Sequence, residues 1–297
     1  MSAKKVQILM STYNGEKYLR EQIDSLLAQK YEPIEILIRD DGSKDGTCEI
    51  IKEYAKRFDN IKPFYEENLG VNGSFFTLLS YSDADYIAFC DQDDIWLPEK
   101  IEKAVNRLSN TTKPTLYCSN KILVDSDGNT IKANDFKRLK PGFKNALVES
   151  ICTGCTIVMN RKLADDVRSN IPKQAIIHDW WVYLVASYTG NVIYDKGAYI
   201  KYRQHANNVL GQSAGFLGTI KDKARYLKSS KGKMFKQLTE FKGLYRGDKS
   251  KDDLVDAVLA ARSFGGRLKI VFGRKIYRQQ LLDGFVTRML FLINRML

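Results

Sequence analysis

Short apolar runs that stop abruptly in acid or hydroxyl groups set the rhythm of the first hundred residues. Val6–Met10 leads into Ser11-Thr12-Tyr13-Asn14, Ile34–Ile38 leads through Arg39 into Asp40-Asp41-Gly42-Ser43, and Tyr86–Cys90 leads into Asp91-Gln92-Asp93-Asp94. Runs of this length and composition predict buried strands. Between them the period changes. Leu19, Ile23, Leu26 and Leu27 share one helical face within 16–29, and Cys48, Ile51, Tyr54, Ala55 and Phe58 share another, with Ser43 as its start. Phe64-Tyr65 predicts a short strand, 68–73 a glycine-bearing loop, and 75–81 a helix. Leu97-Pro98 opens a further helix, with Ile101, Val105 and Leu108 inward. Strand alternating with helix through residue 108 predicts a parallel, doubly wound α/β sheet. Such sheets bind ligands outside the carboxyl ends of their strands, so the three polar tips are expected to converge.

The pattern loosens afterwards. Residues 115–124 predict a strand, Asp125-Ser126-Asp127-Gly128-Asn129 a turn, 155–159 a strand, 163–168 a short helix, and 178–188 an aromatic-rich helix. One or two strands are expected within 191–202. Three glycines in 211–218 suggest a boundary, giving a domain over 1–215 and a helical region over 216–297.

Charge sharpens that division. Residues 1–216 hold 28 Lys/Arg and 28 Asp/Glu, whereas 217–297 hold 19 Lys/Arg and 7 Asp/Glu, the whole of the net +12. An excess confined to one segment points to an anionic partner for that segment alone. The start, Met-Ser-Ala-Lys-Lys-Val-Gln, leads straight into a strand pattern and leaves no room for a signal peptide. No stretch reaches the ~20 apolar residues that span a bilayer. Five cysteines with no secretory signal are expected as reduced thiols in the cytoplasm, with Cys152 and Cys155 structural, or else a redox or zinc pair that lacks the further ligands zinc wants.

Chemistry concentrates at the strand tips. Asp91, Asp93 and Asp94 have the oxygen ligands a hard divalent cation prefers, or they face water near the helix at Pro98. Asp40 and Asp41 either hydrogen-bond a base or ribose, or form an Asx-turn. Thr12-Tyr13-Asn14 either floors a nucleotide pocket or is a plain loop. In His178-Asp179-Trp180-Trp181, an acid against aromatic surface suits a general base, while the alternative is a helix cap with two core tryptophans. Arg203 carries the fork that fits phosphate oxygens, and His205 is a candidate metal ligand. There is no G-x-x-x-x-G-K-[ST] and no G-x-S-x-G, and two histidines exclude a multi-histidine zinc catalyst.

Read in order, Met10-Ser11-Thr12-Tyr13-Asn14-Gly15, Ile38-Arg39-Asp40-Asp41-Gly42-Ser43, Asn68-Leu69-Gly70, Asp91-Gln92-Asp93-Asp94, Thr153-Gly154-Cys155-Thr156 and His178-Asp179-Trp180-Trp181 resemble glycosyltransferase family 2. The resemblance covers residues 5 to about 210. Together with Tyr202-Arg203-Gln204-His205-Ala206-Asn207-Asn208 it looks like the bacterial rhamnosyltransferases of surface-polysaccharide assembly. It implies a GT-A fold, with a mostly parallel sheet and helices on both faces. The implied reaction is inverting transfer from a nucleotide-sugar, here dTDP-L-rhamnose, to a lipid-linked or oligosaccharide acceptor. By position, Thr12, Tyr13 and Asn14 would line the nucleotide pocket, Asp41 would meet the base and Asp91 the ribose. Glu16, Asp40, Asn72, Gly73, Gln92 and Arg203 would complete the donor site. Asp93, with His205, would bind Mg²⁺ or Mn²⁺, Asp179 would be the base, and Trp180 and Trp181 would face the acceptor. His178 stands where the family usually has Glu.

The basic end falls outside that resemblance. Arg288 and Arg295, seven apart, share a helical face among Leu290, Leu292, Ile293 and Leu297, which predicts an interfacial helix on anionic lipid at the inner face of the cell membrane. A solvated helical cap or a homodimer contact is the alternative. Two other functions compete: the same fold with a UDP-hexose donor, and nucleic-acid binding by the basic end. The second leaves the strand-tip acids unexplained, since carboxylates repel phosphates without metal, so no nucleic acid is expected.

Overall fold

The computed structural model describes residues 3–133, 139–204, 232–273 and 275–294. His205, Arg295, Leu297 and the glycine-rich boundary at 211–218 lie outside these residues. The chain divides into two compact units. The first comprises 1–137, 152–171 and 177–205, and the second 138–151, 172–176 and 206–297.

The first unit is built on a nine-stranded sheet. Its strands are β1 (Val6–Thr12), β2 (Ile34–Asp40), β3 (Ile61–Tyr65), β4 (Tyr86–Cys90), β5 (Ile95–Trp96), β6 (Thr115–Val124), β7 (Thr130–Ala133), β8 (Val158–Asn160) and β9 (Asn191–Arg203). The order is β3-β2-β1-β4-β8-β6-β9-β5, with β7 paired to β6. β3, β2, β1 and β4 are mutually parallel, as the alternating pattern predicts. Val6, Ile8 and Met10 of β1 and Ile36 and Ile38 of β2 are fully buried, which explains the unbroken apolar runs. Beyond β4 the sheet is mixed. β8 runs antiparallel to β4 and β6, while β6 and β9 are parallel to each other.

Helices α1 (Glu16–Leu27), α2 (Thr47–Arg57), α3 (Gly70–Tyr81) and α4 (Lys100–Leu108) follow β1, β2, β3 and β5. Leu19, Ile23, Leu26, Ile51, Tyr54, Ile101 and Leu108 join the strand residues in one core. Two starts differ from the sequence pattern. Helix α2 begins at Thr47, because the Ser43 hydroxyl donates to Asp40 and accepts from the Asn14 amide instead of capping. Helix α3 begins at Gly70, so the glycine-bearing stretch 70–73 is its first turn rather than a loop. Helices α6 (Arg161–Ser169) and α7 (His178–Thr189) complete the unit, and every residue of α7 before Thr189 is buried. A 3₁₀ turn, Gly154–Thr156, occupies the first part of the strand expected over 155–159.

The second unit is helical: α5 (Phe143–Ala146), α8 (Lys233–Leu244), α9 (Lys249–Leu259), α10 (Phe264–Phe272) and α11 (Leu281–Leu292). Glu149 gathers it by accepting from the Asn145 side chain at 2.7 Å and the Gln279 amide at 2.9 Å, while pairing with Arg278. Glu240 of α8 accepts from the Lys173 and Gln174 amides. Thr287 and Phe291 are the buried residues of α11. Its opposite side is apolar and exposed: Leu281 (94%), Leu282 (73%), Phe285, Val286, Met289 and, just beyond, Ile293. Among the described residues, no helix is long and apolar enough to cross a membrane.

Candidate active site

Because β2, β1 and β4 are adjacent and parallel, with Thr12 beside Asp40 and Met10 beside Cys90, the predicted polar tips share one end of the sheet. Local chemistry then assigns them different work.

The tips of β1 and β2 are locked to each other. The buried Thr12 hydroxyl donates to Asp40 at 3.1 Å, and Asp40 also accepts from the Ser43 amide and hydroxyl and the Cys48 thiol. Asn14, at a positive φ of 48° that asparagine tolerates, donates its amide to Ser43 and accepts from the Lys44 amide. Glu16 accepts from the Gly46 amide at 2.6 Å, while Gly15 donates to the Thr47 hydroxyl. Asp41 is buried, paired with Arg39, and accepts the Leu69 and Gly70 amides at 2.8 and 2.9 Å. Its carboxylate therefore holds the start of α3, where orphan amides favour an acid. Asn72 accepts from the His178 amide at 2.8 Å, joining α3 to α7. A Cβ on Gly73 would sit 2.5 Å from that of Leu69, so the bare position serves packing within the turn.

Gln92 connects these tips to the β4 tip. Its amide accepts from the Tyr13 N–H at 2.8 Å and donates to the Tyr13 carbonyl at 3.1 Å, leaving the Tyr13 ring exposed. Gly15 permits the approach, because a Cβ there would fall 2.2 Å from the Gln92 oxygen.

Past β4, acids crowd together with few partners. Burial, with Asp93 and Asp179 beside it, pushes Asp91 up to about 7. Burial, then Asp93 and Asp91, holds Asp94 well above the usual carboxylate range. Asp94 accepts the Arg203 amide through one oxygen, and its other oxygen is buried without a hydrogen-bond partner. Carboxyl oxygens of Asp91 and Asp94 lie within 4.8 Å of each other and of the Cys155 sulfur. Burial and these acids push the Cys155 thiol well up, so it stays a thiol rather than a thiolate ligand. A set of mutually repelling oxygens fits a hard divalent cation, and the oxygens rather than the sulfur would hold it. Beneath them Lys100 is buried 3.3 Å from the Trp96 ring centre, and burial brings it down to about 8.

Asp179 lies near Asp91. One oxygen accepts the Gly154 amide at 3.0 Å, and the other is buried without a partner. Burial pushes it up to about 6, against the pull of the Trp180 and Gly154 amides and the Lys121 charge. That value places a base near its working range at neutral pH. His178 is stacked 4.0 Å from Phe75 and set edge-on to Phe89, and burial brings it down to about 3, so it is a neutral core ring. It fills the place of the family's usual Glu by packing, without charge.

Three expectations are corrected. Asp41, expected to meet the nucleotide base, is buried and taken up by Arg39 and the Leu69 and Gly70 amides. Arg203 is no free phosphate fork. It is buried, and its guanidinium donates to the Asp93 and Ser126 carbonyls and to Glu21, above the Tyr18 ring at 4.6 Å. Its donors anchor the 93–94 loop from within. Trp181 is fully buried and Trp180 is 9% exposed, so Trp181 is core rather than an acceptor platform. The C-x-x-C pair also separates: Cys152 lies 3.1 Å from the Cys118 sulfur, away from the acids that surround Cys155. Sequence reasoning passed over Lys121. Its one visible signal was the polar break Ser119-Asn120-Lys121 in an otherwise apolar strand.

Comparison with known proteins identifies the family and the fold. The profile described as Glycosyl transferase family 2 matches residues 7–168. The dTDP-rhamnosyl transferase RfbG of Shigella flexneri is 31% identical over 233 residues, covering 72% of this chain and 80% of that protein. Among solved structures, S. aureus TarS 1-349 in complex with UDP-GlcNAc superposes with a TM-score of 0.64 at 18% identity, over 99% of this chain and 82% of that one. The mannosyltransferase PcManGT from Pyrobaculum calidifontis, in complex with GDP-Man and Mn²⁺, gives 0.59 at 16% identity, over 99% and 86%. These two likenesses bear on the fold, which is GT-A-like: a mixed α/β sheet flanked by helices, with further helices toward the C-terminus. The matched span and the RfbG likeness settle the family: the chain belongs to glycosyl transferase family 2.

Proposed function

We propose that this glycosyltransferase works with inversion, on a divalent cation, and takes L-rhamnose from dTDP-L-rhamnose for a lipid-linked or oligosaccharide acceptor in cell-surface polysaccharide synthesis. The observation that carries the reading is the placement of Asp179, with a raised proton affinity and one unpartnered oxygen, near Asp91 of the β4 tip. Asp179 takes the proton of the acceptor hydroxyl as its oxygen attacks the anomeric carbon, and the bond to the nucleoside diphosphate breaks on the opposite face. A positioned base contributes about 10²–10⁴-fold to such a step. Tyr13, Asn14 and Gln92 border the nucleotide, Asp91 faces the ribose, and Thr12, Asp40, Asp41 and Glu16 hold the loops that form the floor. Asp93, with the Asp91 and Asp94 oxygens crowded beside it, would hold Mg²⁺ or Mn²⁺, which when bound would neutralise the departing diphosphate. RfbG's name supports the rhamnosyl donor.

A panel of nucleotide-sugars, each with Mg²⁺, Mn²⁺ or chelator, tests the donor and cation by thermal stabilisation and hydrolysis. Stabilisation by dTDP-L-rhamnose with metal, and not by UDP-sugars, is expected. Stabilisation by a UDP-hexose alone would replace the donor, and indifference to every nucleotide would overturn the enzymatic reading.

The exposed apolar side of α11, in the segment that carries the whole net charge, supports a peripheral position on anionic lipid. Such a position keeps the chain where lipid-linked acceptors reside. Leu282→Asp together with Phe285→Asp is expected to abolish sedimentation with vesicles containing anionic lipid. Undiminished sedimentation would refute the membrane role, and a fall in oligomer size instead would assign the face to a second copy.

A further inference from the structure

We propose that Lys121 is a positioning residue of the transfer reaction: its ammonium, reaching from β6, holds the turn whose Gly154 amide donates to Asp179 and fixes a positive charge beside the base. The inference rests on the reading of Asp179 above.

The backbone supplies the first observation. β6 and β9 pair in regular register from Thr115 with Asn191 to Ser119 with Asp195. Asn120 then faces Ala198 and Ile122 faces Lys201, so the register shifts on both sides of Asn120 and Lys121 drops out of the ladder. The Lys121 amide is satisfied by the Asn120 side chain at 2.9 Å instead. The extra residues Lys196 and Gly197 lie on β9, opposite the step from Ser119 to Asn120. The Lys121 side chain reaches Thr153, whose hydroxyl accepts from the ammonium at 3.0 Å, and passes 3.9 Å from the centre of the Tyr202 ring.

Thr153 leads directly into the turn at Gly154, whose amide is the hydrogen-bond donor to Asp179. A Cβ on Gly154 would lie 2.8 Å from the His178 ring nitrogen, so the turn is pressed against the start of α7 with no slack. Lys121, Thr153, Gly154 and Asp179 thus form one unbroken line of contacts. The ammonium also favours the ionised forms of both Asp91 and Asp179. Groups that face Asp179 are Lys121 from β6, Asp91 from the end of β4, Cys152 before the turn, and neutral His178 on its own helix. Lys121 is the cation among them. Without it, burial and Asp91 would both favour a protonated base, idle at neutral pH.

The test follows the Asp179 carboxyl carbon by NMR in the full chain labelled with ¹³C-aspartate, the resonance being identified by its loss in Asp179→Asn. The Lys121→Gln midpoint is expected to rise by about half to one pH unit, and Lys121→Arg to restore it within a few tenths. Thr153→Val, which removes the anchor while keeping the charge, should shift it in the same direction by less, and serves if Lys121→Gln fails to fold. In hydrolysis of dTDP-L-rhamnose, the Lys121→Gln deficit should shrink as pH rises, whereas a purely structural defect would be constant with pH. An unmoved midpoint in folded Lys121→Gln, or in Thr153→Val where that variant does not fold, overturns the proposal. If Asp179→Asn still hydrolyses donor, the base reading fails by itself, and the midpoints still report on Lys121.

Discussion

The acids at the β2 tip and the acids around the β4 tip look alike in sequence and behave oppositely in the fold. Asp40 and Asp41 are buried yet saturated: four donors reach Asp40, and Asp41 takes two amides and a guanidinium. Asp91, Asp94 and Asp179 are crowded and under-supplied, and all three hold protons above the usual carboxylate range. A buried carboxylate with a full set of donors is a fastener. One left short of donors is a stored cost, retained where a cation or a substrate proton can repay it. The difference separates framework from chemistry without reference to any relative.

The strongest way to break this division is through Arg203, which belongs to the fastened side although it touches the β4 loop. Arg203→Met should lower stability by about 2–4 kcal/mol, because the Asp93 and Ser126 carbonyls lose their donor. Urea unfolding checks it, and an unchanged midpoint would return Arg203 to the free phosphate fork expected from its residue type.

One substitution made in two places sharpens the division. Asp40→Asn should destabilise by about 1–3 kcal/mol, since an amide nitrogen cannot accept the donors it would face. Asp179→Asn should stabilise. Asp179 binds its proton at about 6 when folded against 3.8 ordinarily, so the native state holds more protons than the unfolded chain between those values. Stability therefore falls as pH rises through that window, by up to about 3 kcal/mol. Asp179→Asn removes the loss above pH 6 and is neutral below pH 4. Melting at pH 8 and pH 4 distinguishes the two, and loss of stability at both sites would erase the contrast.

The smallest effect lies at the join between the regions. Gly15→Ala should cost about 1–2 kcal/mol by driving the Gln92 amide off Tyr13. In a double-mutant cycle, Gln92→Ala should cost little further once Gly15→Ala is present. Full additivity would show that the clasp is not what Gly15 serves.

Much of the frame was legible because it is local. Each apolar run read as a strand and the first two were followed by helical stripes, so a parallel sheet was legible, while the order β3-β2-β1-β4 came only with the structure. The mixed half was less legible: β8 is three residues long and enters through a 3₁₀ turn that no period announces. The same limit governs the site. Asp179 and the β4 acids were visible as residue types at strand and helix ends. Arg203 was misread because its donors are filled by Glu21, 182 positions away, and by loop carbonyls. Trp181 was misread because side-by-side tryptophans suit a sugar platform and a core equally. Lys121 was missed because its partner Thr153 lies 32 positions away, outside any local pattern.

The central claim is that Asp179 is the base of a sugar transfer from a nucleotide donor, and its most direct test pairs turnover with binding in Asp179→Asn. Calorimetry should show donor affinity within a few-fold of the parent, while the rate of dTDP-L-rhamnose hydrolysis falls by about 10²–10⁴-fold. A rate that stays within a few-fold of the parent, with donor binding intact, would contradict the account.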